Sequence, residues 1–326
     1  MRWPRVVGWV YGAVLVCAVS FVLLDSFVIP YRSQAVQARS SLMPSATASR
    51  PATSATTPST SAVGGSGGPG DASSSSGAQS TSSAQITDSS YADGRITVTV
   101  TTERIDGTDV HVADIQLSDA GALQTALAQD TYGRNVTATT STIAADHGAV
   151  LAINGDFYGA QRSGYVIRDG VLYRSQASSS SQEDLVIMND GSFRVITEGE
   201  VPAEDLLAQG AWQVLSFGPA LVEDGAVAVS AADEVDKAME SNPRTAIAQV
   251  GQFHYLMVVA DGRTDDDAGL SLEQLAQFLV DHGAETAYNL DGGGSSTMWF
   301  NGQVVNTPTS GHGSGERAVS DIVYIS

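Results

Sequence analysis

The chain has 326 residues, with 16 basic against 36 acidic side chains, a net charge of −20 and one cysteine. That length accommodates one large domain with accessory segments. The charge argues against a nucleic-acid backbone as partner, because phosphates need arrayed Lys and Arg, and a single thiol excludes an internal disulfide and a cysteine-built metal centre.

The charge is unevenly spread. Residues 1–90 carry five arginines and three aspartates, which leaves 11 basic and 33 acidic side chains in 91–326, where Lys237 is the sole lysine. An anionic ligand of that region would depend on its few arginines. Cys17 sits in the apolar N-terminal run, so the remainder also lacks a cysteine nucleophile.

Residues 6–24 are almost entirely apolar, and the apolar character resumes at 27–29 after Asp25. That is long enough to span a bilayer, and Arg2 and Arg5 ahead of it set a cytoplasmic N-terminus. The sequence thus predicts a cytoplasmic tail (1–5) and a transmembrane anchor (6–29), with a cleaved signal peptide as the rival reading. Residues 30–87 form a linker, rich in Ser, Thr, Ala, Gly and Pro from residue 40, which cannot bury enough apolar surface to offset its ordering entropy. The globular domain is predicted at 88–326, outside the cell.

In that domain 96–100 and 110–117 alternate as strands. Leu123 and Leu127, at i and i+4, predict a helix over 120–129. Residues 149–153 form a short apolar strand. Hairpins are predicted around Asp169-Gly170, Asn189-Asp190-Gly191, Asp224-Gly225 and Gly251. Residues 202–208 read as a short helix. The clearest helix is 272–282, where Ser271 and Gln274 make a capping box and Gly283 stands at the C′ position. Strands follow at 286–290, 297–300, 303–305 and 318–325. The fold class is α+β: a strand-rich single domain with a mixed sheet and few helices.

Chemistry concentrates where polar residues follow or precede apolar strands. Asn154-Gly155-Asp156 follows one strand, Arg244-Thr245 opens another, Asp261-Gly262-Arg263 ends a third, and Asn289-Leu290-Asp291-Gly292-Gly293-Gly294-Ser295-Ser296-Thr297 leaves a fourth. Three consecutive glycines allow close backbone approach or positive φ, and successive amides can form an anion nest. If these strands share a sheet, Asp156, Asp261 and Asp291 gather at one edge. Clustered carboxylates suit glycoside cleavage, and Arg244 and Arg263 can clamp a phosphate. Taken singly, each Asp-Gly is also a plain turn.

These segments, in this order over residues 150–326, together with Gly269-Leu270-Ser271 leading the helix, resemble the phosphodiester glycosidase family. Asp25-Ser26-Phe27-Val28-Ile29-Pro30 with its anchor resembles bacterial members associated with exopolysaccharide biosynthesis. The resemblance implies hydrolysis of a sugar-1-phosphodiester of the GlcNAc-1-phosphate type at the anomeric C–O bond. It implies catalytic Asp156, Asp261 and Asp291, with Asp291 or Asp156 as nucleophile or base. Arg244 would hold the phosphodiester with help from Arg263, and the Gly292, Gly293 and Gly294 amides would contact phosphate or sugar oxygens. Asn154 and Asn289 would orient reacting groups, with Gly155, Thr245, Ser295 and Ser296 completing the binding set. The division of roles among the aspartates stays open.

No cofactor is implied. Asp265-Asp266-Asp267 could take calcium through oxygen ligands, but it lacks EF-hand spacing, and a solvated acidic loop is the favoured reading. The histidines have no zinc spacing. Arg317, ahead of the last strand, either points back to the site or makes a surface pair. The competing function is a non-catalytic glycan receptor or a structural part of an exopolysaccharide assembly, which would not form product. The expected partners are a carbohydrate phosphodiester and, through the anchor, the membrane.

Overall fold

The computed structural model describes residues 84–230, 241–311 and 313–326, with a few positions between 16 and 32. Most of the predicted anchor and most of the linker lie outside the described residues, as does His312. Among the described residues, no helix is long and apolar enough to cross a membrane.

The domain is built on three larger sheets. One has nine strands in the order Ala226–Val227, Ala220–Glu223, Thr286–Leu290, Arg244–Gly251, His254–Ala260, Thr108–Leu117, Ile96–Ile105, Ser90–Ala92 and Gln85–Ile86. A five-stranded sheet runs Val171–Arg174, Val166–Arg168, Ala211–Leu215, Glu183–Met188 and Phe193–Thr197. Another runs Gln303–Val304, Met298–Phe300, Leu151–Asn154, Asp321–Ile325 and Leu123–Leu127. The expected mixed sheet is corrected: adjacent strands in all three are antiparallel. Hairpins join many sequence neighbours, and such connections give antiparallel pairs.

Alternation along the strands sorts side chains between two cores. Ile247, Tyr255, Met257, Val259, Tyr288 and Leu290 face a core shared with both five-stranded sheets, which contribute Ile153, Leu185, Leu215, Met298 and Val323. Ala246, Ala248, Leu256, Val258 and Ala260 face the other way and pack under the helix Leu272–Asp281 through Leu275, Ala276 and Leu279. The backbone of the helix comes closest to the strands Ala220–Glu223 and Ala226–Val227.

That helix has its capping box, with Ser271 and Gln274 satisfying each other's backbone amides. Gly283 takes φ +81 and donates to Val280 O, and Ala284 donates to Leu279 O at 3.0 Å, which closes the C-terminal end. A helix at Ala203–Ala208 also forms. The helix expected over 120–129 does not: Leu123–Leu127 is a strand, flanked by short 3₁₀ turns. Its whole length pairs with Asp321–Ile325, and this long-range ladder overrides the local spacing of two leucines. A third helix, Thr140–Asp146, capped by the Thr139 side chain, was not anticipated.

Candidate active site

The strand Leu151–Asn154, the start of Arg244–Gly251 and the end of Thr286–Leu290 meet through one side chain. Asn154, fully buried, accepts from Thr245 Oγ1 at 2.9 Å and from the Thr297 amide at 3.2 Å. It donates through Nδ2 to Asp291 O at 2.6 Å and Gly155 O at 3.3 Å. Asn154 and Thr245 therefore hold the backbones that carry Asp156 and Asp291 together, and neither is free to touch a ligand.

Asp291 is the partly open carboxylate of the predicted three, with 17% of its side chain exposed. Its Oδ2 accepts from Ser295 Oγ at 2.6 Å and from Arg317 Nη2 at 2.8 Å. No donor among the described residues reaches Oδ1.

Asp156 is 1% exposed. Its Oδ1 accepts from the Tyr158 amide at 2.8 Å, and its Oδ2 from Arg168 Nη2 at 2.8 Å and the Ser216 amide at 2.9 Å. Asp261, 3% exposed, lies beside His111 Nε2 at 3.2 Å and accepts from the Thr307 amide at 2.9 Å and Asn306 Nδ2 at 3.1 Å. Burial acts to raise the Asp261 carboxyl, but the hydrogen bonds from His111, Thr307 and Asn306 outweigh it and hold the pKa below the ordinary carboxylate value. Both carboxylates spend their oxygens on the fold.

The glycine turn is more occupied than a bare nest. Gly293, at φ +61, donates to Pro243 O at 2.8 Å, while Ser295 and Ser296 donate back to Gly292 O and Gly293 O. A Cβ on Gly292 would lie 2.9 Å from Pro243 O, and one on Gly293 would lie 2.9 Å from Arg263 Nη2. Gly292 is thus required by the close approach of a backbone oxygen and Gly293 by its positive φ, since the Arg263 side chain can move aside. Among the described residues, the Gly292 and Gly294 amides find no acceptor. Ser295 is wholly buried and serves Asp291, and Ser296 Oγ is buried without a partner.

Arg244 is 7% exposed and donates through Nε to Leu270 O at 2.8 Å. With Asn289, Gln182, Phe217, Gly218 and Pro219 it lines a cavity of about 330 Å³, which is at the small end for ligand pockets. Asn289 donates to Gly218 O at 2.8 Å, and its buried Oδ1 has no partner. Arg263 is exposed, takes φ +63 and donates from Nε and Nη2 to Asn242 Oδ1.

A profile described as phosphodiester glycosidase matches residues 147–326, more than half of the chain. The chain belongs to the phosphodiester glycosidase family. The SPbeta prophage-derived uncharacterized protein YomE of Bacillus subtilis (strain 168) is 31% identical over 182 residues, 55% of this chain and 28% of that protein. The N-acetylglucosamine-1-phosphodiester alpha-N-acetylglucosaminidase of Mus musculus is 30% identical over 189 residues, 53% of this chain and 36% of that protein. The chain thus matches only about a third of the length of these curated relatives. The catalytic domain of the zebrafish enzyme of the same name superposes with a TM-score of 0.56 at 22% identity, over 71% of this chain and 82% of that one. A hypothetical protein from Synechocystis superposes at 0.52 with 18% identity, over 71% and 62%. These superpositions show a shared fold.

Within this phosphodiester glycosidase domain, two groups emerge that the sequence reading did not place. Arg168, Asp321 and Asp156 form a buried ion cluster behind Gly155, with Arg168 bonded to both carboxylates. Asp184 is wholly buried, and among the described residues neither oxygen has a partner in hydrogen-bond geometry, although Ser216 and Glu198 lie close by; burial together with the Glu198 carboxylate pushes its pKa up to about 9. Arg317 had two readings, and the structure turns it towards Asp291. The acidic run ahead of the helix is partly structural: Asp267 accepts from Arg104 Nη1 at 3.1 Å and from the Asp109 amide at 2.9 Å.

Proposed function

We propose that this chain hydrolyses a glycosyl phosphodiester, breaking the bond between the anomeric carbon and the phosphate oxygen. Water supplies the oxygen that ends on the sugar. The original bridging oxygen leaves with phosphorus, giving a free sugar and a phosphomonoester. A phosphate ester is a good leaving group, so protonation by a general acid matters less than stabilising the charge that develops. The observation that carries this reading is Asp291: a carboxylate with one oxygen fixed by Ser295 and Arg317 and the other free, at a sheet edge where arginines gather in an otherwise acidic domain.

Asp291 Oδ1 is the atom that meets the anomeric carbon or the water attacking it. Asp156 and Asp261 act as supports, one behind Gly155 and one beneath the 306–307 segment. The sugar ring fits the cavity beside Phe217 and Asn289. Family membership supports the reaction class, and the relatives' printed name supports an N-acetylglucosamine-1-phosphodiester as first substrate to try. The apolar 6–29 segment and the linker support a membrane-tethered domain acting outside the cell on a surface glycan or exopolysaccharide.

The test is release of free sugar from UDP-GlcNAc and a panel of sugar-1-phosphodiesters, with and without EDTA, by the full chain and by Asp291→Asn. Loss of turnover in Asp291→Asn with intact folding is expected. Near-wild-type turnover in that variant removes Asp291 from the reaction, and no product from any diester favours a glycan receptor.

A further inference from the structure

The geometry points to a phosphate subsite formed by Arg263 and Arg317 across the Gly292–Gly294 turn, one that retains the phosphomonoester product. It rests on the hydrolytic reading for the origin of that product, but not for the binding itself.

Arg263 carries a positive charge that no carboxylate among the described residues neutralises. Its hydrogen bonds go to the neutral Asn242 Oδ1, and among the described residues no carboxylate lies within ion-pair distance of it. Its guanidinium lies directly over Gly293, where a Cβ would collide with it. A left-handed backbone at Arg263 itself, uncommon outside glycine, sets that direction.

Arg317 reaches the same turn. Its amide donates to Gly294 O at 3.1 Å, and its Nη2 reaches Gly292 O at 3.3 Å as well as Asp291. The residue before it, Glu316, accepts from both the amide and the hydroxyl of Ser141, so the backbone that presents Arg317 is tied at two points. Nearly half of the Arg317 side chain remains exposed. Arg244, by contrast, is buried and gives its Nε to Leu270 O, which suits it to the cavity wall rather than to a phosphate clamp.

Charge then discriminates between ligands. Asp291 and Arg317 cancel, which leaves Arg263 as one net positive charge facing a phosphodiester of charge −1. The product phosphomonoester carries about −2 at neutral pH and offers an additional anionic oxygen for bidentate contact. The product is therefore held more tightly than the diester phosphate, and inorganic phosphate competes for the same place.

The experiment is calorimetric titration of the full chain with inorganic phosphate and with glycerol 3-phosphate, alongside Arg263→Gln, Arg317→Gln, Asp291→Asn and, as control, the distant exposed Arg194→Gln. Saturable binding is expected in the parent chain. Losing either arginine should weaken it about tenfold or more, the scale of one charged hydrogen bond, with Arg194→Gln unchanged. Asp291→Asn should bind phosphate more tightly, by about threefold or more, because it removes a repelling carboxylate and frees Arg317. Equal affinities across the four variants, no saturable binding, or weaker binding in Asp291→Asn would overturn the subsite. None of these readouts needs turnover, so a failure of the hydrolytic reading is scored separately by the product assay.

Discussion

Arg168 grips one oxygen of Asp321 twice, through Nε at 3.0 Å and Nη2 at 2.7 Å. The same Nη2 bonds Asp156 Oδ2 at 2.8 Å, all three side chains being buried. Two carboxylates thus share one guanidinium. Asp321 Oδ1 is left without a partner and lies against the Gly155 Cα. Burial first, and repulsion from Asp156 second, hold the Asp321 pKa well above the usual carboxylate range against the pull of Arg168.

Removing the shared cation should be the most damaging change in this cluster. Arg168→Gln leaves two buried carboxyls unpaired and should cost about 3–5 kcal/mol. Asp321→Asn, which replaces a carboxyl already biased to its neutral form, should cost clearly less. Urea unfolding of both variants checks the order, and equal losses would contradict it.

Asp184 makes stability depend on pH in a defined direction. In the folded chain its pKa is about 9, whereas in the unfolded chain it ionises near 3.9. Between those values the folded state holds the extra proton. The contribution of Asp184 is therefore fully present below about pH 4 and is lost progressively up to about pH 9, at no more than about 1.4 kcal/mol per pH unit. Asp184→Asn removes that slope. Its melting temperature relative to the parent should be near parity at pH 4 and rise towards pH 8; a difference independent of pH would refute this.

Asp291 and Asp156 should separate chemistry from folding. Asp291→Asn is expected to lower kcat by about 10²–10⁴ while the melting temperature stays nearly constant. Asp156→Asn loses its charged acceptor for Arg168 and the Ser216 amide and should lower the melting temperature first. Paired assays of turnover and melting on the two variants check this contrast.

Asn154 should behave as a fastener. Asn154→Ala abolishes bonds to Thr245, Thr297, Asp291 and Gly155, several of them buried, and should destabilise the fold by about 2 kcal/mol or more. Because Asp291 loses its backbone anchor, turnover should fall even below the melting transition. Thermal melts combined with assays at low temperature measure both effects.

The sequence reading succeeded where local chemistry decides structure. Alternation in 110–117, the Asp169-Gly170 turn and the Ser271/Gln274 box each act over a few residues, and the strand, hairpin and capped helix formed accordingly. It failed at Leu123–Leu127, whose apolar spacing suits either a helix or a strand and whose ladder partner lies near the other end of the chain. The strands ahead of Asp261 and Asp291 share the nine-stranded sheet, whereas the strand ahead of Asp156 belongs to another sheet, tied to Asp291 through Asn154. Nothing local told an open carboxylate from a sealed one, because sealing depends on Arg168, His111 and Asn306, distant in sequence. Arg168 reads as an ordinary hairpin residue until Asp321, 153 positions later, is packed against it.

The placement of Asp321–Ile325 has a consequence for how the chain acquires its structure. This segment is the interior strand between Leu151–Asn154 and Leu123–Leu127, so one of the sheets stays split until a segment far downstream of both partners has been made. Nascent chains would wait with two unzipped edges exposed until this downstream strand inserts between them. Such late, long-range closure predicts slow folding and a strong need for protection of the waiting edges.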